Sequence, residues 1–455
     1  MGRGPARRRS RLGARVVARL SPARRVACAL LGERRRRGAR ARDLLRGSES
    51  LSALPERDRA QATRLVMGAT AAEGALDALI DSHLRHGAKL EPRVRDALRL
   101  AAFELVYLDA RADVAVSQGV ELVRTVAPRA AGLANAVLRR VAEEDAPAVL
   151  EARERLAAGD SSARDLALVG AVPEWLAESA LASLGAARAA AWASAALEPA
   201  GAWVAVNRAT CAADEAAALL AVAGCEPEPG PLPGSLLLRA PSRLAPSGLV
   251  ERVSVMPCDL AAQEVALACA PAPGERVLEV GQGRGTKTLL LESAAIASGG
   301  PCEVTAVEVS PHKSELARRR MEVAGVAGHV RCVCADGRGL PDALGTFDLV
   351  FLDAPCSGTG TLARHPEVAW SLEPSAPAAL AVLQAELLAA AAARVAPGGR
   401  LVYATCSVLA EENDAVVGAF LAGSAGEGFE LVRACLTECA FPSDTHFHAC
   451  LRRVR

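Results

Sequence analysis

Aromatic residues are scarce in this chain: seven Phe, four Trp and two Tyr among 455 residues. Its cores must be filled with Ala, Val and Leu, which suits an apolar content of 51%. No uninterrupted apolar run reaches membrane-spanning length. The longest Ala/Leu stretch, 378–396, is broken by Gln384, Glu386 and Arg394 and reads as a helix packed on a sheet. A secretory-type apolar segment is also missing. The expectation is a soluble, cytoplasmic protein with no membrane partner. Thirteen cysteines contain no Cys-x-x-Cys pair, so neither a disulfide framework nor a metal site is expected, and no metal ligand is assigned. Lysine is almost absent, with Lys89, Lys287 and Lys313 against 50 Arg among the 53 basic residues. A Lys kept where Arg is the default points to a need for a compact ammonium. The Arg and Ala bias also fits a GC-rich bacterial genome.

A formal net charge of +1 hides an asymmetry. Residues 1–47 carry sixteen Arg against only Glu33 and Asp43. Such a segment is an electrostatic footprint for nucleic acid or a solvated basic tail. Beyond it, periodicity predicts helices over 22–32, 58–73, 76–84, 92–109, 114–126 and 129–143. Asp58 and Asp113 are the expected N-caps, and Pro92 and Pro128 suit first-turn positions. Val94, Leu98, Ala101, Ala102, Leu105 and Leu108 form one apolar stripe. Residues 147–170 read as a charged connector punctuated by Gly and Ser, and 171–250 as a small α+β segment. Asn207 and Arg208 are open to either a structural or an RNA-contact reading.

From 275 the chain alternates strand and helix, the pattern of a parallel sheet. A strand over 275–280 runs into Gly281-Gln-Gly-Arg-Gly-Thr-Lys287 ahead of a helix at 286–297. Glycines there let backbone amides close on a ligand, although nicotinamide, flavin and S-adenosylmethionine proteins all use such turns. Acids fall at three successive strand ends: Glu308, suited to ribose hydroxyls; Asp336, suited to an adenine amino group; and Asp353. The apolar run Phe347–Leu352 delivers Asp353 and Cys356 to a strand end, and strand 400–404 delivers Cys406 in the same way. Two cysteines at two strand ends, one beside an Asp, suggest a thiol nucleophile with an acid or hydrogen-bonding partner. A dehydrogenase has no need of that loop.

Asp353-Ala-Pro-Cys-Ser-Gly358, followed by Arg364-His365-Pro366 and Trp370, resembles motif IV of the RNA cytosine-C5 methyltransferases. Tyr403-Ala-Thr-Cys-Ser407 with Glu411-Glu412-Asn413 resembles their motif VI. The resemblance extends to the bacterial RsmB (Sun/Fmu) group, which methylates small-subunit ribosomal RNA. Segments 62–68, 98–107 and 133–140 resemble the NusB-like RNA-binding domain that opens those proteins.

This resemblance implies a multidomain fold. Residues 1–20 would be a basic tail and 21–147 an all-α NusB-like domain. Residues 148–250 would be a connector with a small α+β linker domain. Residues 251–455 would form an α/β Rossmann-like class I methyltransferase domain with a seven-stranded, mostly parallel sheet. It implies Cys406 as nucleophile at cytosine C6, Cys356 in product release and Asp353 on the cytosine N3/N4 edge. S-adenosylmethionine is the implied cofactor, held by Gly281, Gly283, Gly285, Lys287, Glu308, Asp336 and Asp353, with Lys287 on its carboxylate. Ribosomal RNA is the implied partner of a monomer, with Arg139, Arg140, Arg364 and His365 as candidate RNA contacts. Members of the group usually carry Cys-Ala-Ala-Pro-Gly-Gly-Lys where this chain has Gly281 to Lys287; only Gly285 and Lys287 persist. Transfer RNA as substrate, and an inactive RNA-binding module, are the alternative readings.

Overall fold

The computed structural model describes residues 20–437 and 443–454. The expectation for the basic tail therefore falls almost wholly outside the described residues. Two compact units emerge: one holds the chain up to Ala69 with Leu76–Ala148, the other Thr70–Ala75 with everything from Val149.

The first unit is helical. Helices run over Pro22–Arg37, Ala41–Arg46, Glu49–Ser52, Glu56–Ala71, Glu73–Ser82, Pro92–Tyr107, Ala112–Val126 and Ala131–Arg140. Val94, Leu98, Ala101, Ala102 and Leu105 of the expected stripe are buried. Pro92 occupies the first turn of its helix, and Pro128 opens a short 3-10 turn. Asp58 and Asp113 are not N-caps. The chain is already helical from Glu56 and Ala112, which places both acids inside a first turn, where the helix dipole favours them without capping. Part of the basic N-terminal charge is also consumed internally. Arg24 pairs with the buried Glu104 at 2.6 Å, and Arg35 with the buried Asp96 at 3.1 Å.

The stretch 147–170, expected as a charged connector, is helical over Ala146–Ala157 and Ala163–Gly170. Its charges decorate helix faces, and the Ser162 hydroxyl caps the second helix by accepting from the Asp165 N–H. After two helical runs that meet at Gly185 within Glu174–Ala195 comes a small antiparallel sheet. It contains β1 (Trp203–Val206), β2 (Pro227–Pro229), β3 (Ser235–Leu238) and β4 (Val255–Pro257), ordered β2-β3-β1-β4.

The larger sheet has seven strands: β5 (Arg276–Val280), β6 (Glu303–Glu308), β7 (Val330–Cys334), β8 (Phe347–Asp353), β9 (Val395–Thr405), β10 (Phe429–Leu436) and β11 (Phe447–Arg453). Their order is β10-β11-β9-β8-β5-β6-β7. Strands β5 to β9 pair in parallel, and β10 and β11 close the edge antiparallel. Central strands are apolar on both faces because helices cover both. Along β8, Leu349 and Phe351 enter one core layer with Val277, Leu289 and Val402. Val350 and Leu352 enter the other with Leu278, Leu388 and Tyr403. Strands β8 and β9 are neighbours in register, with Leu352 opposite Tyr403 and Asp353 opposite Ala404. Whatever follows either strand must emerge at the same place.

Candidate active site

That register brings two loops together at the carboxyl ends of β8 and β9. The Cys356 and Cys406 Sγ atoms lie 3.1 Å apart, and the Cys406 N–H donates to the Cys356 sulfur at 3.2 Å. The hydrogen bond to Cys406, and then burial, push the Cys356 thiol well above the usual range. Gly360 fastens the first loop: its N–H donates to the Cys406 carbonyl at 2.9 Å, and its carbonyl accepts from the Thr445 N–H at 2.9 Å. A Cβ at Gly360 would run into the Thr445 carbonyl, so only glycine permits this close approach.

Asp353, at the end of β8, accepts from the Lys287 ammonium at 2.6 Å. Burial pulls Lys287 down, but the Asp353 carboxylate outweighs it, with Cys406 a smaller contributor, and the ammonium stays firmly charged. Lys287, expected on a cofactor carboxylate, thus sits on Asp353 and within the electrostatic reach of Cys406.

The Gly281–Lys287 turn lies beside them at the end of β5. Gly281, Gly283 and Gly285 all have positive φ, at 92°, 59° and 78°. A Cβ at Gly281 would collide with the Asp353 carbonyl, so the close approach of the two loops here requires glycine. The Glu308 carboxylate accepts from the Gly283 N–H at 2.8 Å and the Ser310 N–H at 2.9 Å. At the next strand end, Asp336 pairs with Arg338 at 2.7 Å, and that pairing holds its carboxyl down at about 2. Beneath the turn, Glu279 is fully buried; burial raises its carboxyl to about 8, against the opposing hydrogen bond from Thr288. Its Oε1 is buried without a hydrogen-bond partner among the described residues. A backbone cradle that excludes side chains, a ribose-range acid and a second acid one strand further on fit an adenosyl ligand.

The candidate RNA contacts separate. Arg139 and Arg140 are exposed at the end of their helix, and His365 is exposed beside the thiol loop. Arg364 is turned inward. It pairs with the buried Asp259, lies 3.0 Å from the buried Asp444, and donates to the Gly201 carbonyl. With its guanidinium committed to two carboxylates, it ties the small sheet to the catalytic loops, and the expected phosphate contact gives way to that role. Asn207 is likewise structural. It is buried, donates to the Val253 carbonyl at 3.0 Å and accepts from the Ala209 N–H at 3.1 Å.

Several residues around the thiols were assigned no role from the sequence. Glu412 is fully buried and accepts from the Ser357 N–H at 2.8 Å, from Gln384 Nε2 at 3.1 Å and from the Ser357 hydroxyl. Thr359 and Ser407 complete this cluster at 3.1 Å. Asn413 is buried and donates to the Ser407 carbonyl at 2.9 Å. Trp192 Nε1 donates to the Thr359 carbonyl at 2.9 Å, and Ser183 Oγ accepts from the Ala410 N–H at 3.0 Å, so the Glu174–Ala195 segment braces both loops. Glu412 and Asn413 stand inside a motif already recognised. Nothing in sequence marks Trp192 or Ser183.

A model of the 16S rRNA methyltransferase RsmB/F family matches residues 266–440, and a NusB family model matches residues 21–143. The chain is 35% identical over 387 residues to the ribosomal RNA small subunit methyltransferase B of Thermus thermophilus, covering 85% of this chain and 84% of that one. It is 36% identical over 426 residues to a putative methyltransferase of Mycobacterium tuberculosis, covering 88% and 87%. Among solved structures, PH0851 superimposes with a TM-score of 0.71 at 22% identity, covering 94% of this chain and 98% of that one. A methyltransferase homolog from Pyrococcus horikoshii gives a TM-score of 0.53 at 21% identity, covering 68% and 99%. Both likenesses are of fold.

Proposed function

Because the chain belongs to the RsmB/F family of rRNA methyltransferases, with S-adenosylmethionine as cofactor, we propose that it methylates C5 of a cytosine in 16S rRNA through a covalent Cys406–C6 bond. The observation that carries this reading is the pair of sulfurs 3.1 Å apart beside the Asp353–Lys287 ion pair.

Cytosine C5 is too electron-poor to attack an electrophile unaided. The Cys406 thiolate adds to C6, and the ring's electron pair is thereby made available at C5, splitting one hard step into two. Asp353 holds the N3/N4 edge, while Lys287 keeps positive charge beside both Asp353 and the reacting sulfur. Gly281, Gly283, Gly285, Glu308 and Asp336 would hold the cofactor, which when bound would supply an electrophilic methyl group to C5, the sulfonium sulfur keeping the electron pair of the broken S–CH3 bond. Release then requires loss of the C5 proton. Cys356, as thiolate, accepts it; the C5=C6 bond re-forms, the C6–Sγ bond breaks, and its electron pair returns to Cys406. The base must be unstacked to reach the sulfurs. Arg139, Arg140 and His365 are the proposed RNA contacts, and residues 21–147 the proposed RNA-binding domain ahead of a 148–250 linker and a 251–455 catalytic domain.

Replacing Cys406 with Ala should abolish methyl transfer, and Cys356→Ala should trap a covalent protein–RNA adduct visible on a denaturing gel. Bisulfite sequencing of rRNA with and without the protein would locate the base. Full turnover by the Cys406→Ala protein rules the mechanism out.

A further inference from the structure

The two loops that carry the thiols come from different strands, and a sulfur–sulfur spacing of 3.1 Å needs something to hold it. Parallel pairing of β8 and β9 fixes where the loops begin, but Cys356 lies three residues beyond its strand. Past that point the Gly360 N–H on the Cys406 carbonyl and the Ser357, Thr359 and Ser407 hydroxyls join the loops, and one buried carboxylate fastens the residue next to Cys356 itself. Glu412, six residues after Cys406, reaches across to Ser357, the residue following Cys356, and binds it twice: through the backbone N–H at 2.8 Å and through the hydroxyl. Gln384, from the helix Ala376–Ala392, donates to the same carboxylate at 3.1 Å and also to the Pro355 carbonyl at 2.9 Å. Cys356 is thus flanked by two residues fastened to one network. The Tyr403 hydroxyl on β9 donates to the Glu412 backbone carbonyl at 2.6 Å, which fixes the far end of the tie.

The hydrogen-bond partners of this carboxylate among the described residues are neutral. Burying a carboxylate without a cation is expensive. Among the groups that oppose ionisation of the Cys356 thiol, after the hydrogen bond to Cys406 and burial, is this Glu412 carboxylate.

We propose that Glu412 is a positioning residue for methyl transfer, which holds Cys356 at its working distance from Cys406 and makes the two thiols inequivalent. The proposal rests on the two-cysteine reading above. Cys406 is left as the attacking sulfur, while Cys356 keeps its proton through the attack and gives it up to solvent before it takes the C5 proton.

The test uses the full-length protein with rRNA substrate and S-adenosylmethionine, and compares Glu412→Ala, Glu412→Gln and Cys356→Ala with wild type. In Glu412→Ala, kcat should fall about 10²-fold, as for a catalytic group displaced by about 1 Å. KM for RNA and cofactor should hold within about twofold, and covalent adduct should accumulate. Glu412→Gln keeps an acceptor for the Ser357 N–H. It should recover most of kcat, and the rise of product release with pH should move to lower pH, because the neighbouring negative charge is gone. Should Glu412→Ala fail to fold, the Gln variant carries the test through that pH shift. Wild-type kcat in Glu412→Ala, or a wild-type pH profile in Glu412→Gln, overturns the proposal. If Cys356→Ala itself accumulates no adduct, the two-cysteine reading fails first, and the outcome is recognisably different.

Discussion

Lys287 is one of three lysines in the chain, and its side chain is only 16% exposed against Asp353. Its position explains why Arg, the default base elsewhere, does not stand here: a planar guanidinium is a poor fit for a point charge placed between a carboxylate and a sulfur. Lys287→Met should lower methyl transfer about 10²- to 10³-fold, the usual loss for one preorganised electrostatic donor. Lys287→Arg should recover little of it in the same assay. The two thiols predict a pH dependence. Cys356 is pushed up, so the thiolate needed for release becomes available only as pH rises. The steady-state fraction of covalent adduct should therefore be larger at low pH and shrink with increasing pH, readable by gel shift on quenched reactions. Glu279 gives a second one. Its folded carboxyl titrates at about 8, above the ordinary value of 4.5, so the native state binds the extra proton between those limits and loses stability as pH climbs through them. Glu279→Gln does not titrate. It should match wild type near pH 4.5 and be more stable by roughly 3 kcal/mol at pH 7, measured by denaturant unfolding.

Among the elements, the Glu174–Ala195 segment matters to chemistry although it lies outside the catalytic sheet. Its Trp192 indole donates to the Thr359 carbonyl in the loop that carries Cys356. Trp192→Phe keeps most of the packing but leaves that buried carbonyl without its donor, a cost of about 1–3 kcal/mol. Thermal stability should fall, and kcat should fall more than substrate affinity, since the loop that carries Cys356 is loosened while Arg139 and Arg140 are untouched. In the helical unit the tightest approach is Gly68 against the Phe103 ring. A methyl group there has no room, so Gly68→Ala should destabilise that unit by about 1–3 kcal/mol in thermal denaturation. Both residues lie in segments that the sequence marks as family-like, but only the packing says why Gly68 must be small.

At the scale of the whole chain, the RNA-binding role proposed for the NusB-family part makes RNA affinity and chemistry separable. Arg139→Ala combined with Arg140→Ala should weaken RNA binding about uniformly across sequences. The slope of log affinity against log salt should drop by about two, with single-turnover methylation of saturating RNA left unchanged. Two helical regions, the parallel sheet and both cysteine loops were legible in sequence because each rests on local or short-period signals: apolar periodicity, Gly and Pro punctuation, and strand ends bearing acids or thiols. The charged stretch 147–170, read as a connector punctuated by Gly and Ser, is helical because Val149, Ala152, Leu156, Leu166 and Val169 give it a buried face among the charges. Arg364 was misplaced for a different reason: its partners Asp259 and Asp444 are 105 and 80 residues away, and no local pattern encodes them. The sequence by itself determined which residues can react, since a thiolate, an acid and a glycine turn are chemical facts at fixed positions. Only the tertiary structure decided which of them meet, because the register of β8 on β9 brings the Cys356 and Cys406 loops out side by side, and that register depends on core packing distributed over the whole sheet.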